Sequence, residues 1–422
     1  CPSLDWPAYF TEVGVGALGR ADAQVDVSMP AFMRQLGRLI ETTSLQDWRV
    51  YLRFHVVRAG LPWLGQAAFD EAFAFNSLLT GQKAPTPRWK RCASAMDAAM
   101  GEALGKAYVA AEFPPSSKAR MNELVDNLRI ALQRRIETRP WMSAATKQEA
   151  LKKLASFIQK IGYPDTWRDY TALTIDPKAP ALANLRRAQE FEYRRDLAKI
   201  GKPVDRAEWL MTAATVNAYF NPPTNEICFP AGILQPPMFD PQADDAANYG
   251  AIGAVIGHEL THGFDDQGRK YDADGNLRDW WTAEDTKEFE ARTQKLVDQY
   301  DGFIAIDTIH VNGRFTLGEN LGDLGGVSLA YEAWKLSLAG QPAPAAVDGF
   351  TPEQRFFLSY GQVWRNTLRP EFARLRAMTD VHSLPRWRVL GPLMNLPEFA
   401  KAFGCQAGDP MVLAAEKRTE VW

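Results

Sequence analysis

The amino-acid sequence predicts a mainly α-helical protein with a small β-sheet, an α+β fold. Apolar residues at every fourth position from Leu124 to Ile136 predict one buried face of a helix. The segments 216–220 and 226–229 are short, rich in β-branched and aromatic residues and separated by a polar turn, which predicts a strand hairpin. The apolar stretch 249–264 predicts a buried helix. These patterns favour many helices packed against few strands.

The composition of the chain changes near residue 206, which predicts two domains. Residues 1–206 are expected to be mostly helical. One of their helices begins at the N-cap Ser143, carries Ile158 and Ile161 on its apolar face and stops at Gly162. Residues 207–422 are expected to combine the hairpin with helices at 284–300 and 319–336.

The overall charge of the 422-residue chain argues against two classes of partner. Lys and Arg number 48 and Asp and Glu 51, giving a net charge of −3. Without a basic excess, the sequence predicts no binding to nucleic acid and none to an anionic membrane surface. No apolar run approaches the roughly 20 residues that span a bilayer.

The start of the chain shows neither an initiator Met nor the basic and apolar segments of a signal peptide. We therefore expect a processed or truncated piece of a longer protein, and Cys1 as the lipid-carrying residue of a lipoprotein is an alternative. The four cysteines, Cys1, Cys92, Cys228 and Cys405, are widely spaced and neither establish nor exclude disulfides.

One stretch carries a recognisable chemical pattern, His-Glu-x-x-His at 258–262. On a helix, His258 and His262 lie one turn apart and present both imidazoles to one point, which suits a tetrahedral zinc ion. Glu259 lies beside the metal but is angled away from the ligand face, where it can act as general base on a water molecule. A chance match on a buried helix is the alternative. This stretch favours the interpretation that the protein is a zinc hydrolase.

A catalytic zinc ion needs a third protein ligand and one open position. No third His follows soon after His262, so the ligand must be a carboxylate. The Gly-rich segment 318–326 offers Glu319 and Asp323 four apart on one helical face. Glu319 can ligate the metal while Asp323 accepts a hydrogen bond from a ligand histidine. Without the His-Glu-x-x-His motif upstream, this pair would be a weak signal, because a Glu and an Asp four residues apart are common on exposed helices.

Several motifs, in one order along the chain, resemble the neprilysin family of zinc metallopeptidases, which includes the endothelin-converting enzymes. They are NAYFNPPTNEICFPAGILQPPMF at 217–239, HELTHGFDDQGRKYDADGNLRDWW at 258–281 and GENLGDLGG at 318–326. The ending Val421-Trp422 is also similar, and softer likeness extends back through 161–164 and 89–113. The resemblance covers nearly the whole chain.

The resemblance implies roles for individual residues. His258, His262 and Glu319 would hold one zinc ion per chain, Glu259 would be the base and Asp323 would orient His258. The segment Asp380-Val381-His382-Ser383 and Arg388 are similar to the family's His and Arg pair. His382 would stabilise the oxyanion and Arg388 would hold a substrate carbonyl. Without this resemblance, His382 would be read as structural and Arg388 as a surface ion pair.

The resemblance also implies residues that bind the peptide substrate. Asn217 and Ala218 match the pair that binds peptide backbone, although Asn217 alone would be read as a turn residue. An apolar set falls where the family lines its pocket for the residue after the scissile bond, and alone it would pass as ordinary core. Its members are Ile233, Met238, Val255, Val363 and Trp364.

The chain departs from the family in two respects. Relatives carry an extra N-terminal stretch that completes the helical domain roofing the active-site cavity, so residues 1–206 are expected to be incomplete on that side. That missing segment is one expected partner, and peptide substrates are another. The family's C-terminal disulfide is expected to be absent, because Leu296 and Thr419 stand where its cysteines would be. Cys92 and Cys405 are expected to be free.

The predicted function is zinc-dependent hydrolysis of oligopeptides on the amino side of bulky hydrophobic residues, by a thermolysin-like catalytic domain outside the cytoplasm. That location, which could be periplasmic, secreted or membrane-anchored, follows from the resemblance alone. Alternatives are another thermolysin-like peptidase, an aminopeptidase, and a non-catalytic binding protein that has kept the fold. The intact Glu259 argues against the last, because a scaffold that only holds zinc has no use for a base.

Overall fold

A computed structural model describes residues 4–20 and 22–421, so the expectations for Cys1 and Trp422 lie outside the described residues. The chain forms two compact units. The first contains residues 4–77 and 169–205, and the second contains residues 78–168 and 206–421. The first half of the sequence therefore contributes to both units. A domain boundary near residue 206 stays a prediction.

Helices dominate the described residues, which confirms the predicted mainly α-helical class. The first eight are α1 (Trp6–Glu12), α2 (Pro30–Thr42), α3 (Leu45–Leu64), α4 (Gln66–Thr80), α5 (Arg88–Glu112), α6 (Pro115–Thr138), α7 (Ala144–Ala155) and α8 (Ala181–Leu197). The other eight are α9 (Asp245–Asn248), α10 (Ala254–His262), α11 (Ala283–Asp301), α12 (Leu317–Ser337), α13 (Pro352–Val363), α14 (Pro370–Thr379), α15 (Pro385–Leu393) and α16 (Pro397–Phe403). None of the helices in the described part of the chain combines the length and apolarity needed to cross a membrane.

A three-stranded sheet in the second unit contains the predicted hairpin. Its strands are β1 (Ile158–Gly162), β2 (Tyr219–Asn221) and β3 (Glu226–Pro230). The central strand β3 pairs in parallel with β1 and antiparallel with β2, so β2 forms an edge of this sheet. A two-stranded ribbon, β4 (Ile304–Ile306) and β5 (Ile309–His310), lies elsewhere in the same unit.

The prediction of one helix from Ser143 to Ile161 is wrong for the second half of that segment. Ser143 does cap α7, where its hydroxyl accepts a hydrogen bond from the Thr146 amide, but α7 ends at Ala155. Ile158 and Ile161 belong to β1, where they pair with Glu226 and Phe229 of β3. Isoleucine is β-branched and suits a strand, and the parallel partner that decides the outcome lies far away in sequence.

The core of the second unit is built around α6, α10 and α12. The apolar row of α6 from Leu124 to Ile136 is fully buried, as its spacing predicts. In α10 every residue from Ala254 to Thr261 is buried. A Cβ at Gly257 would lie 2.6 Å from the carbonyl oxygen of Gly326, so the backbones of α10 and α12 meet at these glycines. This close approach brings the two predicted ligand segments together.

Candidate metal centre

The helix that carries His-Glu-x-x-His, α10, follows a short helix and a π-helical turn. Asp244 caps α9, a π-helical turn follows at Tyr249–Gly253, and α10 continues to His262. The Nε2 atoms of His258 and His262 lie 2.9 Å apart, and their rings are nearly perpendicular at 89°. The predicted spacing of one turn therefore directs both nitrogens to one point.

The predicted third ligand comes from the start of α12. Glu319 Oε2 lies 3.2 Å from Nε2 of His258 and 3.8 Å from Nε2 of His262. One donor atom from each of these three side chains lies within 4.8 Å of the others, which makes them a group that could hold a metal ion. Glu319 Oε2 is buried and makes no hydrogen bond of good geometry. A cation at this point would satisfy that oxygen.

The electrostatics of these three side chains also suit a cation. Burial alone would lower the pKa of His258, but the carboxylates of Asp323 and Glu319 raise it to about 10. Burial would raise the pKa of Glu319, yet the nearby imidazoles of His258 and His382 hold it well below its usual range. The excess negative charge around the imidazoles therefore favours either a bound proton or a metal ion.

Glu259 lies between the two histidines in sequence, and 6% of its surface is exposed. Burial raises the pKa of its carboxyl group, although the neighbouring imidazoles oppose this effect. A carboxylate whose pKa is moved towards neutrality is a better general base at neutral pH than an exposed one.

Asp323 supports His258 from one turn further along α12. One carboxylate oxygen, Oδ1, lies 3.0 Å from Nδ1 of His258. Arg388 of α15 donates to both oxygens of the same carboxylate, from Nε at 2.8 Å and from Nη2 at 2.7 Å. This pair is buried, and the Arg388 guanidinium lies 3.8 Å from the centre of the Trp364 ring. With its proton on Nδ1, His258 presents the Nε2 lone pair to the metal.

A glycine of α12 gives His258 room to pack. A Cβ at Gly322 would lie 2.7 Å from the His258 ring, so a larger residue there would force the ring to move. Gly322 therefore permits the close packing of α12 against the His258 ring.

His262 has a support that sequence reasoning missed. Nδ1 of His262 lies 2.7 Å from Oδ2 of Asp265, just after the helix. The other oxygen of Asp265 accepts hydrogen bonds from the backbone amides of Gln267 and Gly268, at 2.9 and 2.6 Å. The sequence contains a signal for this contact, because Asp265 follows His262 by three residues. A carboxylate at that spacing can reach the imidazole ring.

His382 also lies at the site, because its Nε2 is 3.1 Å from Glu319 Oε2. Its Nδ1 is 2.8 Å from Asp380 Oδ1, a second carboxylate that we did not assign. Burial would lower the pKa of His382, but the contacts with Glu319 and Asp380 outweigh it and raise that pKa. The next residue, Ser383, donates a 2.8 Å hydrogen bond to the Asn320 side chain and so fastens this segment to α12.

The predicted peptide-binding residues have different environments. Asn217 is exposed and Ala218 is buried, and both directly precede the edge strand β2. Within the apolar set, Ile233 and Val255 are buried in the main core, and Met238 and Trp364 are partly buried against it. Val363 is partly buried at the end of α13. The roles proposed for these residues remain predictions.

Two imidazoles from one helix, a carboxylate from a second helix and an acid beside the first histidine define the class of protein. It is the class with a His-Glu-x-x-His metal centre, to which metallopeptidases of this type belong. Two family profiles, both described as Peptidase family M13, match residues 1–164 and 217–419. The chain therefore belongs to Peptidase family M13, the zinc metallopeptidase family of neprilysin and the endothelin-converting enzymes. The predicted resemblance is confirmed.

Among curated relatives, the chain is 35% identical to an endothelin-converting enzyme homolog from Locusta migratoria, covering 100% of the chain and 60% of that protein. It is 35% identical to human endothelin-converting enzyme 1, covering 100% of the chain and 56% of the relative. Neprilysin-11 from Caenorhabditis elegans is 34% identical, with 97% of the chain and 50% of the relative covered. The chain thus spans about half the length of these relatives.

Solved structures give the same family. The chain is similar to the Mycobacterium tuberculosis zinc metalloprotease Zmp1 in complex with an inhibitor. The TM-score is 0.94 and the identity 45%, covering 100% of the chain and 64% of that structure. It is also similar to PepO from Lactobacillus rhamnosis HN001, with a TM-score of 0.86, 30% identity, and coverage of 99% and 66% respectively.

The three cysteines within the described residues are free thiols. Cys92 is exposed, Cys228 is buried and Cys405 is partly buried. This agrees with the expectation for Cys92 and Cys405. Burial raises the pKa of Cys228, which keeps this thiol protonated and unreactive.

Proposed function

We propose that this chain carries the catalytic centre of a zinc-dependent endopeptidase that hydrolyses oligopeptides on the amino side of bulky hydrophobic residues. The observation that carries the proposal is the convergence of His258, His262 and Glu319 on one point with Glu259 adjacent. Two imidazoles and one carboxylate are the ligand set of a catalytic zinc site, which leaves a position open for water or substrate.

The donor set fits zinc better than the harder divalent cations. Mg²⁺ and Ca²⁺ prefer oxygen ligands, whereas two imidazole nitrogens with one carboxylate suit Zn²⁺. His258, His262 and Glu319 would hold this single ion, and Asp323 would fix the tautomer of His258 through its 3.0 Å contact. When bound, the ion supplies a Lewis acid that acidifies water and polarises a carbonyl oxygen.

Glu259 would move the proton in the reaction. Its carboxylate takes a proton from the attacking water and later passes it to the nitrogen of the leaving amine. Because Glu259 is buried and its pKa is raised, the protonated form is a competent acid for the second transfer. One side chain can therefore serve both halves of the hydrolysis.

His382 and Arg388 would act on the substrate oxygens. Burial would lower the pKa of His382, but the contacts with Glu319 and Asp380 raise it. The raised pKa favours the donating form that stabilises charge developing on the carbonyl oxygen. Arg388 donates hydrogen bonds to Asp323 from Nε and Nη2, and Nη1 makes no hydrogen bond to that carboxylate. This nitrogen would hold a substrate carbonyl.

The peptide itself would bind along the edge of the small sheet. Asn217 and Ala218 directly precede β2, an edge strand that can pair with an extended chain. The apolar set would receive the side chain that follows the scissile bond, and burial of that side chain would explain the preference for bulky hydrophobic residues. The members of this set are Ile233, Met238, Val255, Val363 and Trp364.

A single substitution tests the assigned base. Glu259→Gln keeps the size of the side chain but cannot accept the proton, so we expect zinc to be retained and turnover to fall by at least a thousandfold. Metal content by mass spectrometry and cleavage of a quenched peptide measure the two outcomes. Glu284→Gln, at an exposed position of α11, is the matched control and should behave as the unmodified chain. Substantial cleavage by Glu259→Gln would refute the assignment.

The same assay separates an endopeptidase from an aminopeptidase. Peptides with blocked amino termini should be cleaved as well as free ones, because no acidic anchor for a substrate amine is part of the proposed mechanism. Cleavage restricted to free amino termini would favour the aminopeptidase.

A location outside the cytoplasm is also proposed, and it rests on the family resemblance alone.

A further inference from the structure

A cavity of about 630 Å³ lies in the second unit, on the side of α12 that faces away from the candidate metal ligands. An α-helix turns by about 100° per residue, so the positions of α12 that line this cavity lie opposite the face that carries Glu319 and Asp323. These lining positions are Leu321, Leu324, Gly325 and Ser328. Among the described residues of the lining, none is a candidate metal ligand. The cavity is therefore separate from the metal centre.

The wall of this cavity carries more positive than negative charge. Five basic side chains and three carboxylates line it. Two of the carboxylates already contact a cation: Glu332 accepts a hydrogen bond from Arg135 at 2.5 Å, and Glu420 pairs with Arg139 outside the lining. The third, Glu398, is exposed. The basic residues are Arg135, Arg292, Lys295, Lys335 and Arg418. This excess of positive charge favours an anionic ligand.

Two of the basic side chains have main-chain partners instead of carboxylates. Lys295 Nζ donates to the carbonyl oxygen of Glu416 at 2.9 Å, and Arg418 Nε donates to that of Leu413 at 2.8 Å. Within the described part of the chain, neither side chain forms an ion pair. An arginine whose Nε is bound still presents two terminal nitrogens, which can bind two oxygens of a phosphate group in parallel.

The cavity is also lined by buried polar atoms that lack a partner. Thr419 is only 4% exposed, and its Oγ1 makes no hydrogen bond within the described residues. Its backbone amide is held by Asn395 at 2.8 Å, so the position of this residue is fixed while its hydroxyl is unpaired. Arg292 Nε is likewise buried without a partner. Buried polar atoms usually have a partner, and the oxygens of a ligand would supply one here.

The rest of the lining is apolar. Its buried members come from α12, from the segment before α16 and from the C-terminal segment. They are Leu321, Leu324, Leu396 and Val421. Sites for small organic ligands combine an apolar wall with a few polar groups that orient the ligand. A bare inorganic ion would leave this apolar wall unused, so the ligand should carry an apolar part as well as an anionic group.

We propose that this cavity binds a small molecule in which a phosphate group is joined to an apolar or aromatic body, and that Arg418 and Lys295 recognise the phosphate. The proposal goes beyond the proposed peptidase function and does not depend on it. None of the described lining residues has a role in that mechanism.

Calorimetric titration of the zinc-loaded chain with phenyl phosphate, at a fixed ionic strength, tests the ligand class. We expect saturable binding at one site per chain. Inorganic phosphate should bind at least tenfold more weakly because it lacks the apolar part, and benzyl alcohol should do so because it lacks the charge. No binding of phenyl phosphate would overturn the proposal. Equal affinity for inorganic phosphate would overturn the ligand class.

Substitutions in the wall locate the bound phosphate. Arg418→Gln should weaken phenyl phosphate binding about tenfold, because a charge-assisted hydrogen bond is lost. Lys295→Gln, at an exposed position of α11, should weaken it about fivefold. The matched control is Lys417→Gln, which removes the same charge from an exposed residue that does not line the cavity, and it should change the affinity by less than about twofold.

The outcomes distinguish this cavity from the metal centre. Phenyl phosphate bound to zinc would leave the affinities of Arg418→Gln and Lys295→Gln unchanged, and that result would overturn the proposal. An equal loss in Lys417→Gln would also overturn it, because the effect would then come from net charge alone.

Thr419→Val provides a variant that should fold normally. Valine keeps the shape of threonine without burying an unpaired hydroxyl, so the unliganded chain should resist urea at least as well as the unmodified chain. We expect phenyl phosphate to bind about threefold more weakly. Unchanged binding by Thr419→Val, together with unchanged binding by Lys295→Gln, would exclude the phosphate from this cavity even if Arg418→Gln failed to fold.

Discussion

The two histidines of the candidate metal centre are supported in different ways. His258 contacts Asp323, a residue from a distant helix whose carboxylate is also bound by Arg388 and is almost fully buried. His262 contacts Asp265, three residues away, whose other oxygen holds two amides of the following loop. One support depends on the packing of α10, α12 and α15, and the other on a local turn. Loss of the first support should therefore weaken metal binding and global stability together, and loss of the second should weaken both to a smaller extent.

The largest expected effect follows loss of the distant support. Asp323→Ala removes the partner of His258 and leaves the buried Arg388 without its carboxylate. We expect zinc affinity to fall about a hundredfold and the free energy of unfolding to fall by about 3–5 kcal/mol, since an unpaired buried charge is costly. Chelator competition and urea unfolding of the metal-free protein measure the two effects.

Asp323→Asn is the matched control for this variant. It keeps the shape and an oxygen for the His258 ring but loses the charge that faces Arg388, so its effects should be intermediate. Unchanged unfolding of Asp323→Ala would show that the distant support is not part of the stabilising core.

The local support has an anchor of its own, Lys153. This fully buried lysine donates 2.7 Å hydrogen bonds to the carbonyl oxygens of Gly268 and Tyr271 and so fixes the loop that Asp265 begins. Burial lowers its pKa to about 7, against the opposing influence of Asp265 and Asp272.

This lysine should make stability depend on pH. The folded protein releases the Lys153 proton near pH 7, whereas the unfolded chain keeps it to about pH 10.5. In this window the unfolded state binds more protons at this lysine, so the contribution of Lys153 to the free energy of unfolding rises with pH. We expect this contribution to be about 3 kcal/mol between pH 7 and pH 9.5, and to be absent from Lys153→Met. Lys152→Met, at the exposed neighbouring position, should keep the rise; equal slopes for the two variants would contradict the assignment.

A smaller effect is expected from loss of the local support itself. Asp265→Ala removes the partner of His262 and frees the amides of Gln267 and Gly268. We expect zinc affinity to fall about tenfold, with a loss of about 1–2 kcal/mol in the free energy of unfolding. Chelator competition measures the first, with Asp279→Ala as a control at an exposed position nearby. If Asp265→Ala destabilised the metal-free fold as much as Asp323→Ala, the contrast between the two supports would be broken.

The same contrast explains what the sequence could predict. Periodic spacing is local, so it predicted His258 and His262 on one face, Glu319 and Asp323 on another, and the buried row of α6. The meeting of α10 and α12 depends on glycines such as Gly257 and Gly326, whose role is visible only when both backbones are in place. Ile158 and Ile161 have a spacing that suits a helix, and only their pairing with β3 makes them a strand. Asp265 was within reach of prediction and was overlooked.

The smallest effect is expected at the third histidine, which is not a proposed ligand but has a local support similar to that of His262. Asp380 Oδ1 lies 2.8 Å from Nδ1 of His382 and accepts the His382 backbone amide at 2.9 Å. Asp380→Asn keeps the shape of the side chain but removes the charge that favours the donating imidazole. We expect kcat to fall about fivefold, with KM and zinc affinity unchanged and the pH profile of kcat shifted to lower pH, because the pKa of His382 should fall. Asp348→Asn, at an exposed position, is the control. A loss of zinc in Asp380→Asn would instead place His382 among the groups that hold the metal, and the division between ligand supports and a substrate-facing histidine would have to be redrawn.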